Sequence, residues 1–231
     1  GSLESFFETA GVQICVGYGL TECSPLVAFR RSDANLVTAG CVGRACSDTQ
    51  VRVVDPEASP EKGPRPALPT GEAGLVIARG PQVMKGYYNN TEGTRKAFWP
   101  DGWFRSGDVG VLDDNGYLFI VDRLKDMIIS GGENVYSLEV EEVLYAHPDV
   151  QECAVIGTPD KEWGERVTAF ILPKPGRTID EGGLKDFLKA RLSVYKVPKR
   201  FFVVDDLPRS PAGKLLKRKL RQSFLKDDDS T

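Results

Sequence analysis

At Asp122-Arg123-Leu124-Lys125-Asp126 the pattern of the chain changes. Upstream, between residues 40 and 120, short β-like runs are cut apart by Gly, Pro and Asp clusters; 51–54, 74–78 and 117–121 are the clearest. Downstream, helices and strands alternate. Ser137 stands where it can cap a helix from Leu138 to about residue 146. Glu139, Glu141 and Glu142 fall near the positive end of that helix's dipole, and Val140, Val143 and Leu144 form its apolar stripe. Strands are expected at 152–156 and 167–172, a helix at about 184–192 and a strand at 200–204, which together make a compact α+β unit of about 100 residues. The boundary is expected within 122–126. A length of 231 residues exceeds one average domain and falls short of two.

The upstream part has further landmarks. Residues 12–16 form a short apolar run that reads as a buried strand, leading into Gly17 and Gly19, which free the backbone for a tight turn. The segment 56–71 holds five prolines and reads as a surface loop. Thr91 is the expected cap of a helix that must stop near Trp99, because Pro100 follows. No internal repeat is present.

Composition removes several classes of function. Apolar residues make up 41% of the chain and charged residues 27%, enough for a core and too ordered a balance for a disordered chain. A net charge of −3 lacks the basic excess of a nucleic-acid binder. No window approaches the roughly 20 apolar residues of a membrane helix, and the first residues lack the pattern of a signal peptide. Five cysteines with no C-x-x-C pair argue against a zinc site or a disulfide framework and favour a reducing, intracellular compartment, cytoplasmic or organellar. The only histidine, His147, precedes Pro148 at an expected helix end, so a capping role suits it better than catalysis. Trp99 and Trp103 are expected in the core, and Trp163, among charged residues, partly exposed.

Three islands could do chemistry. In Gly17-Tyr18-Gly19-Leu20-Thr21-Glu22, a hydroxyl and a carboxylate side by side suit a phosphate bound with a divalent metal, and Tyr18 offers a flat face to a base. Taken alone, the plainer account is a strand-to-loop turn with a solvated glutamate. In Gly102-Trp103-Phe104-Arg105-Ser106-Gly107-Asp108, followed fifteen residues later by Arg123, Asp108 could accept two ribose hydroxyls or close a β-turn on its own backbone. In Pro208-Arg209-Ser210-Pro211-Ala212-Gly213-Lys214, the lysine could reach an anionic centre as a mobile point charge. It could equally open a basic surface helix, with Lys217, Arg218, Lys219 and Arg221 outside and Leu216, Leu220 and Phe224 lining one face.

The order of these islands, with the run from Gly107 through Asp122-Arg123-Leu124-Lys125-Asp126 to Ser130-Gly131-Gly132-Glu133-Asn134-Val135, resembles the AMP-forming acyl-CoA synthetases. Gly71-Glu72, Arg79-Gly80-Pro81 and Gly86-Tyr87-Tyr88 fit the same pattern, so the resemblance covers nearly the whole chain. It implies activation of a carboxylic acid, fatty or aryl, by ATP and transfer of the acyl group to coenzyme A. By resemblance, Tyr18 stacks on or flanks the adenine, Gly19 belongs to the same nucleotide-binding set, Thr21 contacts the α-phosphate and Glu22 holds Mg²⁺. Asp108 takes the ribose hydroxyls with help from Arg123, and Lys214 bridges the substrate carboxylate and the α-phosphate. Lys125 is the hinge, the Ser130-Gly131-Gly132 turn approaches the pantetheine arm of coenzyme A, and Tyr195-Lys196-Val197-Pro198 buttresses the small domain. The implied fold is α+β. Residues 1–121 close the large AMP-binding domain, with a β-rich subdomain over about 40–121; 122–126 form the hinge and 127–231 the mobile domain.

The family's Ser/Thr/Gly-rich loop for the β- and γ-phosphates does not occur between residues 1 and 231. The chain is therefore expected to be the C-terminal part of a longer synthetase, its partner the missing N-terminal part of the same enzyme, and to be inactive alone. Two alternatives remain at this stage: an adenylation domain that loads a carrier protein, and a non-catalytic membrane or partner-binding module built on the basic segment 214–226. The final Asp229-Ser230-Thr231 is not a peroxisomal address.

Overall fold

The computed structural model describes residues 6–7, 9–12, 14–30, 40–56, 66–211 and 213–228. The fold is α+β. The chain divides into two compact units, Gly1–Leu124 and Lys125–Thr231. No helix among the described residues is long and apolar enough to cross a membrane.

In the first unit, seven strands form one sheet: β1 (Val16–Gly19), β2 (Leu26–Arg30), β3 (Cys41–Ala45), β4 (Gln50–Val54), β5 (Gly74–Arg79), β6 (Phe104–Leu112) and β7 (Leu118–Arg123). Their order is β1-β2-β3-β7-β6-β5-β4, and every pairing is antiparallel. Strand β5 is buried on both faces, which explains its unbroken run Leu75-Val76-Ile77-Ala78 where a half-exposed strand would alternate. Leu75 and Ile77 meet Val54, Trp99 and Trp103 on one face, while Val76 joins Ala28, Val53 and Leu118 on the other. Both tryptophans are core anchors, as expected.

The strand expected at 12–16 starts only at Val16, and Val12 is exposed. Gly17 and Gly19 lie inside β1 and make no tight turn. Glycine is required at 19 because a Cβ there would sit 1.8 Å from the Pro25 carbonyl oxygen across the hairpin. The chain reverses instead at the 3₁₀ turn Thr21–Cys23 and at Ser24, whose φ is 53°. Helix α1 (Thr91–Ala97) is capped by Asn90, not Thr91, since the Asn90 side chain accepts from the Gly93 N–H. Of the proline-rich segment, 57–65 lie outside the described residues, and 66–71 form neither helix nor strand.

The second unit centres on the long hairpin β10 (Val150–Asp160) and β11 (Gly164–Pro173). The short hairpin β8 (Ile128–Ser130) and β9 (Glu133–Val135) joins through Ser130 opposite Gly164. Strand β12 (Arg200–Val203) pairs parallel to β11. Alternation along β10 and β11 feeds two cores. Cys153, Val155, Val167, Ala169 and Ile171 face helices α2 (Ser137–Tyr145) and α3 (Glu181–Lys189). On the other face, Ala154, Ile156 and Phe170 meet Leu207 and the helix α4 (Lys217–Asp228) through Leu220 and Phe224.

Ser137 does not cap α2. Tyr136 occupies the cap position without a side-chain capping bond to the helix, and the Ser137 hydroxyl accepts from the Lys217 ammonium at 2.7 Å. A lysine carried into the interior must find acceptors, and that requirement overrides capping. Helix α3 begins at Glu181, ahead of the expected 184, because Asp180 caps it by accepting from the N–H groups of Gly182 and Gly183. Its apolar stripe starts only at Leu184, which is why periodicity places the start too late.

Candidate functional site

In the first unit the sheet brings three of the expected residues together. The β6–β7 register sets Asp108 opposite Arg123, with Arg123 Nε 3.7 Å from Asp108 Oδ1. Tyr18, on β1, donates its hydroxyl to Asp108 Oδ2 at 2.6 Å. The Asp108 N–H donates to Ser106 Oγ at 3.0 Å, and that hydroxyl donates to the Val76 carbonyl at 2.7 Å, so the strand backbone under the carboxylate is also pinned. Asp108 is buried and its guanidinium partner exposed, so this is a rim ion pair; the shorter phenol contact does more to orient the carboxylate. Burial pushes the Tyr18 phenol well above the usual tyrosine range, and the negative charge of Asp108 adds to the shift. The β-turn alternative for Asp108 fails, because Asp108 lies within β6.

Glu22 sits in the 3₁₀ turn beyond β1, half-buried rather than freely solvated. Its carboxylate accepts from the Tyr87 hydroxyl at 2.9 Å, and its carbonyl accepts from the Met84 N–H at 2.7 Å. Segment 84–87 thus holds Glu22 by backbone and side chain. Tyr87 was legible only as part of a motif; no local pattern announces a hydrogen bond spanning 65 residues. Thr21 is exposed beside Glu22. Cys23, buried below, has its thiol pushed up to about 11 by burial and by the Glu22 charge, so it stays protonated at neutral pH.

In the second unit, Lys214 ends a small hairpin loop. Ser210 N–H donates to the Lys214 carbonyl at 2.8 Å, and Lys214 N–H donates back to Ser210 Oγ at 3.1 Å. Lys214 is exposed, and among the described residues its ammonium has no hydrogen bond or ion pair. It does not open the helix; α4 starts three residues later, and its first residue, Lys217, is half-buried with its side chain turned inward, 11% exposed. Lys125 is an exposed turn residue at the first position of this unit. Gly131 and Gly132 form the two-residue turn of the β8–β9 hairpin with φ of 61° and 84°, values that favour glycine. A Cβ on Gly131 would also strike the Trp163 indole at 2.6 Å. Lys196 grips both carboxylate oxygens of Glu139, at 2.6 and 2.7 Å, tying segment 194–197 to α2. His147 accepts from the Asp149 N–H and packs edge-on against Phe187, in keeping with a structural part.

The model of the AMP-binding enzyme family matches residues 2–88, and that of the AMP-binding enzyme C-terminal domain matches residues 139–214. The chain belongs to this family. Among AMP-binding enzymes, a feruloyl-CoA synthase of Amycolatopsis sp. is 44% identical over 224 residues, which are 96% of this chain and 44% of that protein. A solved structure of MatB from Rhodopseudomonas palustris with ATP bound gives a TM-score of 0.83 at 39% identity, over 93% of this chain and 41% of that one. The o-succinylbenzoate CoA synthetase MenE of Bacillus subtilis, in complex with the acyl-adenylate intermediate OSB-AMP, gives 0.84 at 34% identity, over 95% and 43%. The chain therefore spans less than half the length of the relatives it matches.

The carboxylates of the first unit fit the donor needs of a magnesium ion whose other ligands are phosphate and water oxygens. Among the described residues no group of three or more His, Cys, Asp or Glu side chains is assembled to hold a metal. Glu22 supplies one carboxylate, which suits Mg²⁺, an ion usually held by one or two protein carboxylates with phosphate and water oxygens completing its shell.

Proposed function

We propose that this chain carries the nucleotide-holding and lysine-bearing portions of an AMP-forming carboxylate–CoA ligase. In the first half-reaction a carboxylate oxygen attacks the α-phosphorus of ATP, and the bond to pyrophosphate breaks. In the second, the thiol sulfur of coenzyme A attacks the acyl carbonyl and AMP leaves. The observation that carries this reading is the Tyr18–Asp108–Arg123 cluster, in which a buried carboxylate is oriented by a phenol and set beside an exposed guanidinium.

Asp108 accepts the ribose hydroxyls, and Arg123 balances its charge. Tyr18 lies against the adenine, Gly19 lets the hairpin that carries Tyr18 and Glu22 close on Pro25 beside the nucleotide, and Thr21 donates to the α-phosphate. Glu22 would hold Mg²⁺, which when bound neutralises phosphate charge. Bringing a carboxylate to a phosphate concentrates negative charge in the transition state, so a cation must be delivered there. Lys214 delivers it as a point charge on a flexible stem. The reaction needs no general base, since the attacking carboxylate is already ionised. Lys125 serves as the hinge between residues 1–121 and the mobile 127–231, and the Gly131-Gly132 turn approaches the pantetheine arm. The acid is fatty or aryl; the likeness to a feruloyl-CoA synthase supports the aryl option. Without the phosphate loop, the 231-residue chain is expected to catalyse little ATP–pyrophosphate exchange.

The test separates the half-reactions in the complete enzyme. Lys214→Ala should lower acyl-AMP formation about a hundredfold or more, equivalent to ~3 kcal/mol, and leave thioester formation from supplied acyl-AMP within a few-fold. Equal loss in both steps would refute the role given to Lys214.

A further inference from the structure

Lys214 acts through its reach, yet the loop that carries it is fixed on both sides by ion pairs to the second unit's own framework. On the upstream side, Arg209 is paired with Glu152 of β10 and donates to the Gly213 carbonyl at 2.8 Å. On the downstream side, Lys217 lies 2.8 Å from Glu141 Oε1 and 2.7 Å from Ser137 Oγ. The two sides differ in kind. The Arg209 pair is partly exposed, whereas the Lys217 and Glu141 side chains are only 11% and 7% exposed.

A buried ion pair is a poor means of gaining stability, since desolvating two charges roughly offsets their attraction; its attested use is to fix register. Here the register is set from three directions. Glu141 stands on α2 and also accepts from the Val155 N–H of β10 at 2.6 Å, so its carboxylate is not free to follow a sliding partner. The Leu216 N–H donates to the Pro208 carbonyl at 2.7 Å, closing the loop that contains Lys214. The apolar side chains of α4, Leu220 and Phe224, pack into a separate core and could tolerate small shifts along the helix axis; a 2.8 Å ammonium–carboxylate contact could not.

We propose that Lys217 and Glu141 are positioning residues for Lys214: their buried pair fixes the first turn of α4 and, three residues upstream, the origin from which the Lys214 side chain extends. The inference rests on the role proposed above for Lys214. A displacement of about 1 Å in a group acting on a transition state can cost on the order of a hundredfold in rate, so the pair has a kinetic consequence separate from its part in folding.

The test uses the complete enzyme, with Lys217→Met, Glu141→Gln, the double variant, Lys217→Arg and Lys214→Ala measured in parallel. The expected result is a ten- to hundredfold fall in kcat for acyl-AMP formation in Lys217→Met and Glu141→Gln, with KM for ATP and thioester formation from supplied acyl-AMP within about threefold. The double variant should be no worse than either single one, and Lys217→Arg should restore most of the rate. In the 231-residue chain, amide exchange at Gly213 and Lys214 should quicken in Lys217→Met and not in Lys217→Arg. Parallel loss of both half-reactions in step with a lowered Tm would reduce the pair to a structural role and overturn the proposal, as would unchanged adenylation. If Lys214→Ala itself spares adenylation, the reading of Lys214 fails; if Lys214→Ala abolishes it while Lys217→Met does not, only the positioning inference fails.

Discussion

In the first unit, Asp108 and Glu22 each accept a phenol hydroxyl, from Tyr18 and Tyr87, at 2.6 and 2.9 Å. In the second, Lys214 is held through its backbone by Ser210, and its ammonium is left to solvent. A carboxylate on a one- or two-carbon stem must present its oxygens in a set direction, so orientation is supplied at the side chain itself. A lysine on a four-carbon stem must reach, so only its point of attachment is fixed. On the roles proposed above, the residues that would receive a ligand are locked at the tip, and the lysine that would travel is locked at the root.

This contrast can be broken or sharpened by substitution. The largest effect is expected for Gly19→Ala, which drives a methyl group into the Pro25 carbonyl and displaces the hairpin carrying both Tyr18 and Glu22. A loss of about 3 kcal/mol in unfolding free energy is expected by denaturant titration; a loss near zero would mean the hairpin is not tightly closed. Next comes Tyr18→Phe, which leaves a buried carboxylate short of a donor at a cost of about 2 kcal/mol at pH 7. The raised phenol pKa adds a pH signature. Below the unfolded value of about 10 both states keep the proton and the contribution is complete. Above it the unfolded chain ionises first, so stability falls as pH rises, by up to about 1.4 kcal/mol per pH unit. Between pH 9.5 and 11 the wild-type chain should therefore lose stability more steeply than Tyr18→Phe; identical slopes would deny the raised pKa. The smallest effect is expected for Ser210→Ala, about 0.5 kcal/mol because the lost bond is exposed. Its reading is faster amide exchange at Lys214 with little change in Tm, and unaltered exchange would show that the root is fixed elsewhere.

Much of the second unit was legible because its elements are amphipathic or continuously apolar. Val140, Val143 and Leu144 mark α2 at helical spacing, and the runs in β10 and β11 mark a strand pair. The first unit was harder. Strand β6 contains Ser106, Gly107, Asp108 and Gly110, a composition that reads as a turn until partners on both sides are known. Strands β2 and β3 of this unit are five residues long and carry little periodic signal. For the site, sequence order pointed to Tyr18, Glu22, Asp108, Arg123 and Lys214. It could not show that Tyr18 and Asp108 touch across 90 positions, or that Lys217 turns inward. Those facts arise from sheet register and from a buried acid 76 residues away from its lysine, and neither leaves a local trace.

Strands β10 and β11 form a wall common to two rooms of the second unit: alternate side chains furnish the α2–α3 side and the α4 side. Loosening the C-terminal helix would bare the back of the very strands whose fronts seat the other two, so damage on one side is felt on the other. The element that follows Lys214 is thus bound into the cohesion of the whole unit rather than appended to it.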